Sequence, residues 1–189
     1  MELRHLRYFV AVADERVVGV VRSDYHATGD PGVQIAVREV SLESPDRAKR
    51  SVLLLHGARV PGIASFDLPV AGGSLAADLT QAGHRVFIMD ARGYGDSTRP
   101  AALSEPPEAN PPQVRSDAVV RDVAAVIDGK VALLGWAAGG PRLLEHQLIR
   151  ARTVRSIELV DATHYGHLDR PRYGRDQFLG RVTRFLAAT

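Results

Sequence analysis

Lys130-Val131-Ala132-Leu133-Leu134-Gly135-Trp136-Ala137-Ala138-Gly139-Gly140 runs from an apolar stretch directly into a glycine-rich turn. A short continuous apolar run suits a parallel strand buried on both faces. The glycines predict a tight turn that opens a helix from about Gly140 to Arg150. Working outward, three more runs end in the same manner. Ser51 to Leu55 leads into His56-Gly57-Ala58-Arg59, and Arg85 to Met89 into Asp90-Ala91-Arg92-Gly93-Tyr94-Gly95-Asp96-Ser97. Ser156 to Val160 leads into Asp161-Ala162-Thr163-His164. Helical spacing fills the gaps at Ser74 to Ala82, Val114 to Ile127 and Asp176 to Leu186. Strands alternating with helices predict a three-layer α/β/α sandwich on a mostly parallel sheet. In such sheets the site lies at the carboxyl ends of the strands.

Upstream, Val17, Val18, Val20 and Val21 are strand-like, Gly29-Asp30-Pro31-Gly32 is a turn, and Val33 to Val40 alternates as a strand or hairpin arm. Residues 2–14 have helical spacing, with Leu3, Leu6, Val10 and Ala13 on one face. Arg99 to Gln113 holds five prolines between Pro100 and Pro112 and reads as a stiff, exposed loop.

The 189 residues, 45% hydrophobic and 24% charged, describe one ordinary globular domain. A net charge of +2 makes no electrostatic case for nucleic acid. With no cysteine, disulfides, thiolate catalysis and Cys-based metal sites are excluded. No His/Asp/Glu cluster has metal-ligand spacing. No apolar run reaches membrane-spanning length, and Tyr8 to Ala13 is too short for a signal peptide, so a cytoplasmic location without a membrane partner is expected.

The four strand ends together resemble the α/β-hydrolase family. His56-Gly57 is similar to its HG oxyanion loop, Asp90-x-Arg92-Gly93-x-Gly95-x-Ser97 to its D-x-R-G-x-G-x-S turn, and Thr163-His164 to the segment carrying its catalytic histidine. Gly135 to Gly140 stands where the family has its nucleophile elbow, G-x-S-x-G-G. That hexapeptide alone is equally compatible with a phosphate cradle. The other three motifs, in the right order, favour the hydrolase. The elbow is a strained strand-to-helix turn in which flanking side chains would collide with backbone, hence Gly135 and Gly139.

The resemblance implies a cofactor-free and metal-free acyl or ester hydrolase acting on a small-molecule substrate. His164 would be the general base, and the amides of Ala58 and Ala138 the oxyanion hole. His56, Gly57, Gly135, Trp136 and Gly139 would shape the site. The nucleophile position holds Ala137, whose methyl group cannot attack a carbonyl. Asp161 is the default orienting carboxylate, with a turn or capping role as the alternative; Asp90 reads as structural. About two dozen residues separate Gly140 from His164, which leaves no space for a cap. Ser156 to Asp161 is either the family's sixth strand or its last, as if a segment had been removed. Three readings follow: a hydrolase inactivated at Ala137, a non-catalytic pseudoenzyme or ligand-binding module, and a shortened chain whose open sheet edge forms a homodimer.

Residues 1–13 resemble the opening helix of LysR-type transcription regulators, but no second or recognition helix follows. The expected division is an appended segment at 1–15 and a hydrolase-like domain at 16–189.

Overall fold

The computed structural model describes residues 19–44, 49–70, 72–127, 131–136, 139 and 173–188. Five strands form one sheet: β1 (Val20–Thr28), β2 (Gln34–Leu42), β3 (Ser51–Leu55), β4 (Val86–Met89) and β5 (Val131–Gly135). The helices are α1 (Gly62–Phe66), α2 (Leu75–Gln81), α3 (Ser116–Val126) and α4 (Tyr173–Ala188). The predicted helix 2–14, the helix after the elbow and the strand at Ser156 to Val160 lie outside the described residues.

Sheet order is β1-β2-β4-β3-β5. β3 runs parallel to both β4 and β5, whereas β2 is antiparallel to β1 and β4. The described sheet is therefore mixed, and parallel where the glycine-rich strand ends gather. β3 lies between β4 and β5, and its residues are apolar on both faces. Val52 and Leu54 pack with Leu75 and Leu79 of α2 and Val182 and Leu186 of α4. Leu53 and Leu55 pack on the opposite face with Val119 and Val123 of α3. Helices on both faces make three layers. Full burial of a leucine contributes about 1.5–3 kcal/mol.

Ion pairs fasten the neighbouring helices to the β1–β2 hairpin on each side. Arg92 follows β4 and gives Nε and Nη2 to Asp122 on the inner face of α3, with Nη2–Oδ1 2.6 Å. Asp122 is fully buried. Asp30, in the β1–β2 turn, accepts from Arg92 (2.8 Å) and Arg121 (2.9 Å). The Arg121 and Arg92 guanidiniums hold the Asp30 carboxyl below its ordinary value. On the far side of the hairpin, Asp67 follows α1 and accepts from Arg22 twice at 2.8 Å, from Ser74 Oγ at 2.7 Å and from Arg38 at 3.3 Å. Ser74 Oγ also caps α2 by accepting from Ala77 N–H at 2.9 Å.

The apolar strand runs agree with the sequence reading to within a residue. Three elements differ. β1 continues through the polar Arg22 to His26, where no alternation marks a strand, because nine cross-strand pairs with β2 fix it. α1 is a five-residue helix behind Pro61, too short to carry a periodicity. The proline-rich loop contains two 3₁₀ turns, Ala101–Ser104 and Pro107–Ala109.

Candidate active site

The register brings three strand ends to one level. Leu55 of β3 lies opposite Met89 of β4 on one side and Gly135 of β5 on the other. His56, Asp90 and Trp136, each the next residue in its chain, therefore emerge side by side.

His56 is fully buried and both ring nitrogens meet main chain. Nε2 accepts from Ala91 N–H at 3.0 Å, so the proton sits on Nδ1, which donates to Gly57 O at 2.6 Å. The ring packs edge-on against Tyr94, with centroids 4.7 Å apart. Tyr94 Oη in turn accepts from Arg59 N–H at 3.4 Å. His56 and Tyr94 thus fix the Gly57-Ala58-Arg59 loop from below, and Ala58 is exposed at its crest. Arg59 has φ +80°, a left-handed conformation that costs a non-glycine residue about 1–3 kcal/mol. Such strain marks a loop whose shape is over-determined by its surroundings. These contacts make His56 a support for the loop. Tyr94 escaped the sequence reading, although its place between Gly93 and Gly95 was the available signal.

Asp90 opens the turn around Arg92 and links it to α1. Its Oδ1 accepts from Gly62 N–H at 2.6 Å, at the start of α1. Its carboxylate occupies the space beside Gly95, where a Cβ would overlap Oδ2 and stand 2.6 Å from Cγ. Ser97 Oγ donates to Asp90 O (2.6 Å) and accepts from Ala36 N–H (2.8 Å). The D-x-R-G-x-G-x-S turn is a brace between β2, β4, α1 and, through Arg92, α3.

The elbow is docked directly on β3. Trp136 N–H donates to Leu55 O at 2.9 Å, and Gly139 N–H to Trp136 O at 2.8 Å. A Cβ on Gly139 would collide with Leu55 O and stand 2.8 Å from His56 O. Backbone on backbone at this distance requires glycine. Trp136 packs against the core cluster shared with α2 and α4. The structure thus brings His56, Gly57, Ala58, Gly135, Trp136 and Gly139 to one end of the sheet. Ala137, Ala138, Asp161 and His164 lie outside the described residues.

No helix among the described residues is long and apolar enough to cross a membrane.

A family model described as the alpha/beta hydrolase fold matches residues 50–189. No curated protein sequence matches the chain. Among solved structures, haloalkane dehalogenase DbeA from Bradyrhizobium elkani is similar at TM-score 0.52 and 19% identity, covering 71% of this chain and 40% of that one. Proline iminopeptidase from Mycobacterium smegmatis gives TM-score 0.51 at 18% identity, covering 68% and 40%. A laboratory-evolved potato epoxide hydrolase gives 0.51 at 18%, covering 76% and 42%. The chain spans about two fifths of the length of these structures. At such identities the likeness speaks for fold alone, and it agrees with the family match. This chain belongs to the α/β-hydrolase fold family.

Proposed function

We propose that the chain is an acyl- or ester-hydrolase scaffold whose substrate, a small molecule, sits at the carboxyl ends of β3 and β5. The docking of Gly139 and Trp136 onto the end of β3 carries this reading, because it sets the elbow beside the loop bearing Ala58. In this reading the amides of Ala58 and Ala138 receive the oxyanion, His164 is the base and Asp161 orients it. Residues 16–189 form the hydrolase domain and 1–15 an appended segment. The reaction uses neither metal nor cofactor.

With a serine at position 137, Oγ attacks the ester carbonyl carbon as its proton passes to His164. The tetrahedral intermediate collapses, His164 protonates the departing alkoxide, and water repeats the sequence to release the acid. Ala137 supplies no Oγ, so the chain as it stands lacks the first step. Losing a nucleophile removes many orders of magnitude of rate.

The alanine itself, with the short Gly140–His164 spacing, favours a second reading: a non-catalytic module that holds an acyl ligand in the same cradle. Hydrolysis of p-nitrophenyl butyrate by the chain and by Ala137→Ser separates the two. The hydrolase reading expects background rates for the chain, turnover for Ala137→Ser, and covalent labelling of Ala137→Ser by a fluorophosphonate that His164→Ala suppresses. A folded Ala137→Ser that neither turns over nor labels overturns it.

A further inference from the structure

β1 is the outer strand of the described sheet. The bonds Glu43 N–H to Gly19 O and Gly29 N–H to Val33 O fix its parity in the hairpin register. Odd-numbered residues spend their main-chain groups on β2. Val20, Arg22, Asp24 and His26 point theirs toward the edge that no strand among the described residues covers. Edge strands guarded against self-pairing carry charged side chains, lysine above all, proline or a bulge. β1 has no lysine or proline, and its nine residues pair with β2 without a bulge. Two of its side chains, Val21 and Tyr25, are exposed large hydrophobics, 41% and 40% accessible. They alternate on one face with Ser23. Arg22 and Asp24, of opposite charge, stand two residues apart on the other face.

We infer that β1 pairs antiparallel with β1 of a second copy, about a two-fold axis at Ser23. Parity admits centres at Arg22, Ser23, Asp24 or Tyr25. A centre at Arg22 stacks guanidinium on guanidinium, and one at Asp24 stacks carboxylate on carboxylate. Only the Ser23 centre sets Arg22 of each copy opposite Asp24 of the other. It also sets Val21 opposite Tyr25 twice, so both exposed apolar side chains are covered by one operation. The charges are already held in place. Arg22 uses Nε and Nη2 on Asp67, and Asp24 accepts Nε and Nη2 of Arg38 while 59% of its side chain stays accessible. Across the axis the two pairs join into one ladder of alternating sign. A two-fold contact of this kind is isologous and closes at the dimer.

The absence of cysteine makes the register directly measurable. Opposed residues at a non-hydrogen-bonded position have Cα atoms about 4.5 Å apart, within disulfide reach. Position 23 is such a self-opposed position. Positions 21 and 25 lie roughly 13 Å from their own copies, four residues at ~3.3 Å each. Under mild oxidation Ser23→Cys is expected to give a disulfide dimer on a non-reducing gel, while Val21→Cys and Tyr25→Cys stay monomeric. In sedimentation equilibrium at tens of micromolar the unmodified chain is expected at twice its monomer mass. The double variant Val21→Lys/Tyr25→Lys, with an unchanged circular dichroism spectrum, is expected at the monomer mass. A monomeric unmodified chain, equal crosslinking at all three positions, or self-crosslinking at position 25 overturns the proposal.

Discussion

A single hydrogen atom decides the geometry at residue 139. Gly139 rests on the carbonyls that close β3, and a methyl group there meets main-chain oxygen with no flexible side chain to yield. Gly139→Ala is therefore expected to cost about 1–3 kcal/mol, the scale of overpacking in a filled interior. The check is a urea denaturation midpoint, and a midpoint equal to that of the unmodified chain refutes the close approach. The glycine was visible in the sequence because the G-x-x-x-G-G spacing has a steric cause. His56 stood out in the sequence as the residue before Gly57. Tyr94 and the left-handed Arg59 were not, because a ring contact and a positive φ arise from the loop's three-dimensional path. The partner of the Asp90 carboxylate, the Gly62 amide, stands at the start of α1 and has no signature near Asp90 in sequence.

Among the elements, apolar runs were the easiest to read: β3 and β4 are largely buried, and β5 continues the same apolar composition, which marks all three. β1 was harder, since solvent covers most of it and cross-strand pairing, which is non-local, holds it in place. The junction between this hairpin and α1–α2 combines apolar packing of Val40 with an ionic clamp at Asp67. Burial alone would raise the Asp67 carboxyl, yet hydrogen bonds from Arg22 and Ser74 and the charges of Arg22 and Arg38 bring it below its ordinary value. A depressed carboxyl stabilises the fold above its unfolded pKa of about 3.9, and that stability fades as pH falls through the lower folded value. Unfolding free energy measured from pH 6 down to pH 2 is expected to decline in acid, and Asp67→Asn to flatten part of that decline. Asp67→Asn should also lose stability at pH 7, by about 1–3 kcal/mol, the scale of lost charge-assisted hydrogen bonds. An unaltered acid profile would remove Asp67 from the account.

At the scale of the molecule, the order β1-β2-β4-β3-β5 could be anticipated only through family resemblance, since no local pattern states which strands become neighbours. The parallel centre was foreseen from continuous apolar runs; the antiparallel flank was hidden in a hairpin whose first arm is polar. The cluster of Asp30, Arg92, Arg121 and Asp122 shows what such topology demands of time. Its contacts span 30 to 91 residues of sequence. They require the hairpin turn, the end of β4 and α3 to be already assembled. Long loops close at an entropic cost before their contacts reward it, so this ionic knot tightens late. A contact absent from the transition state acts on the rate of escape from the native state. Asp122→Ala is accordingly expected to accelerate unfolding in stopped-flow chevrons while leaving the refolding limb nearly unchanged. The knot that closes last is then the one that sets how long each folded molecule survives.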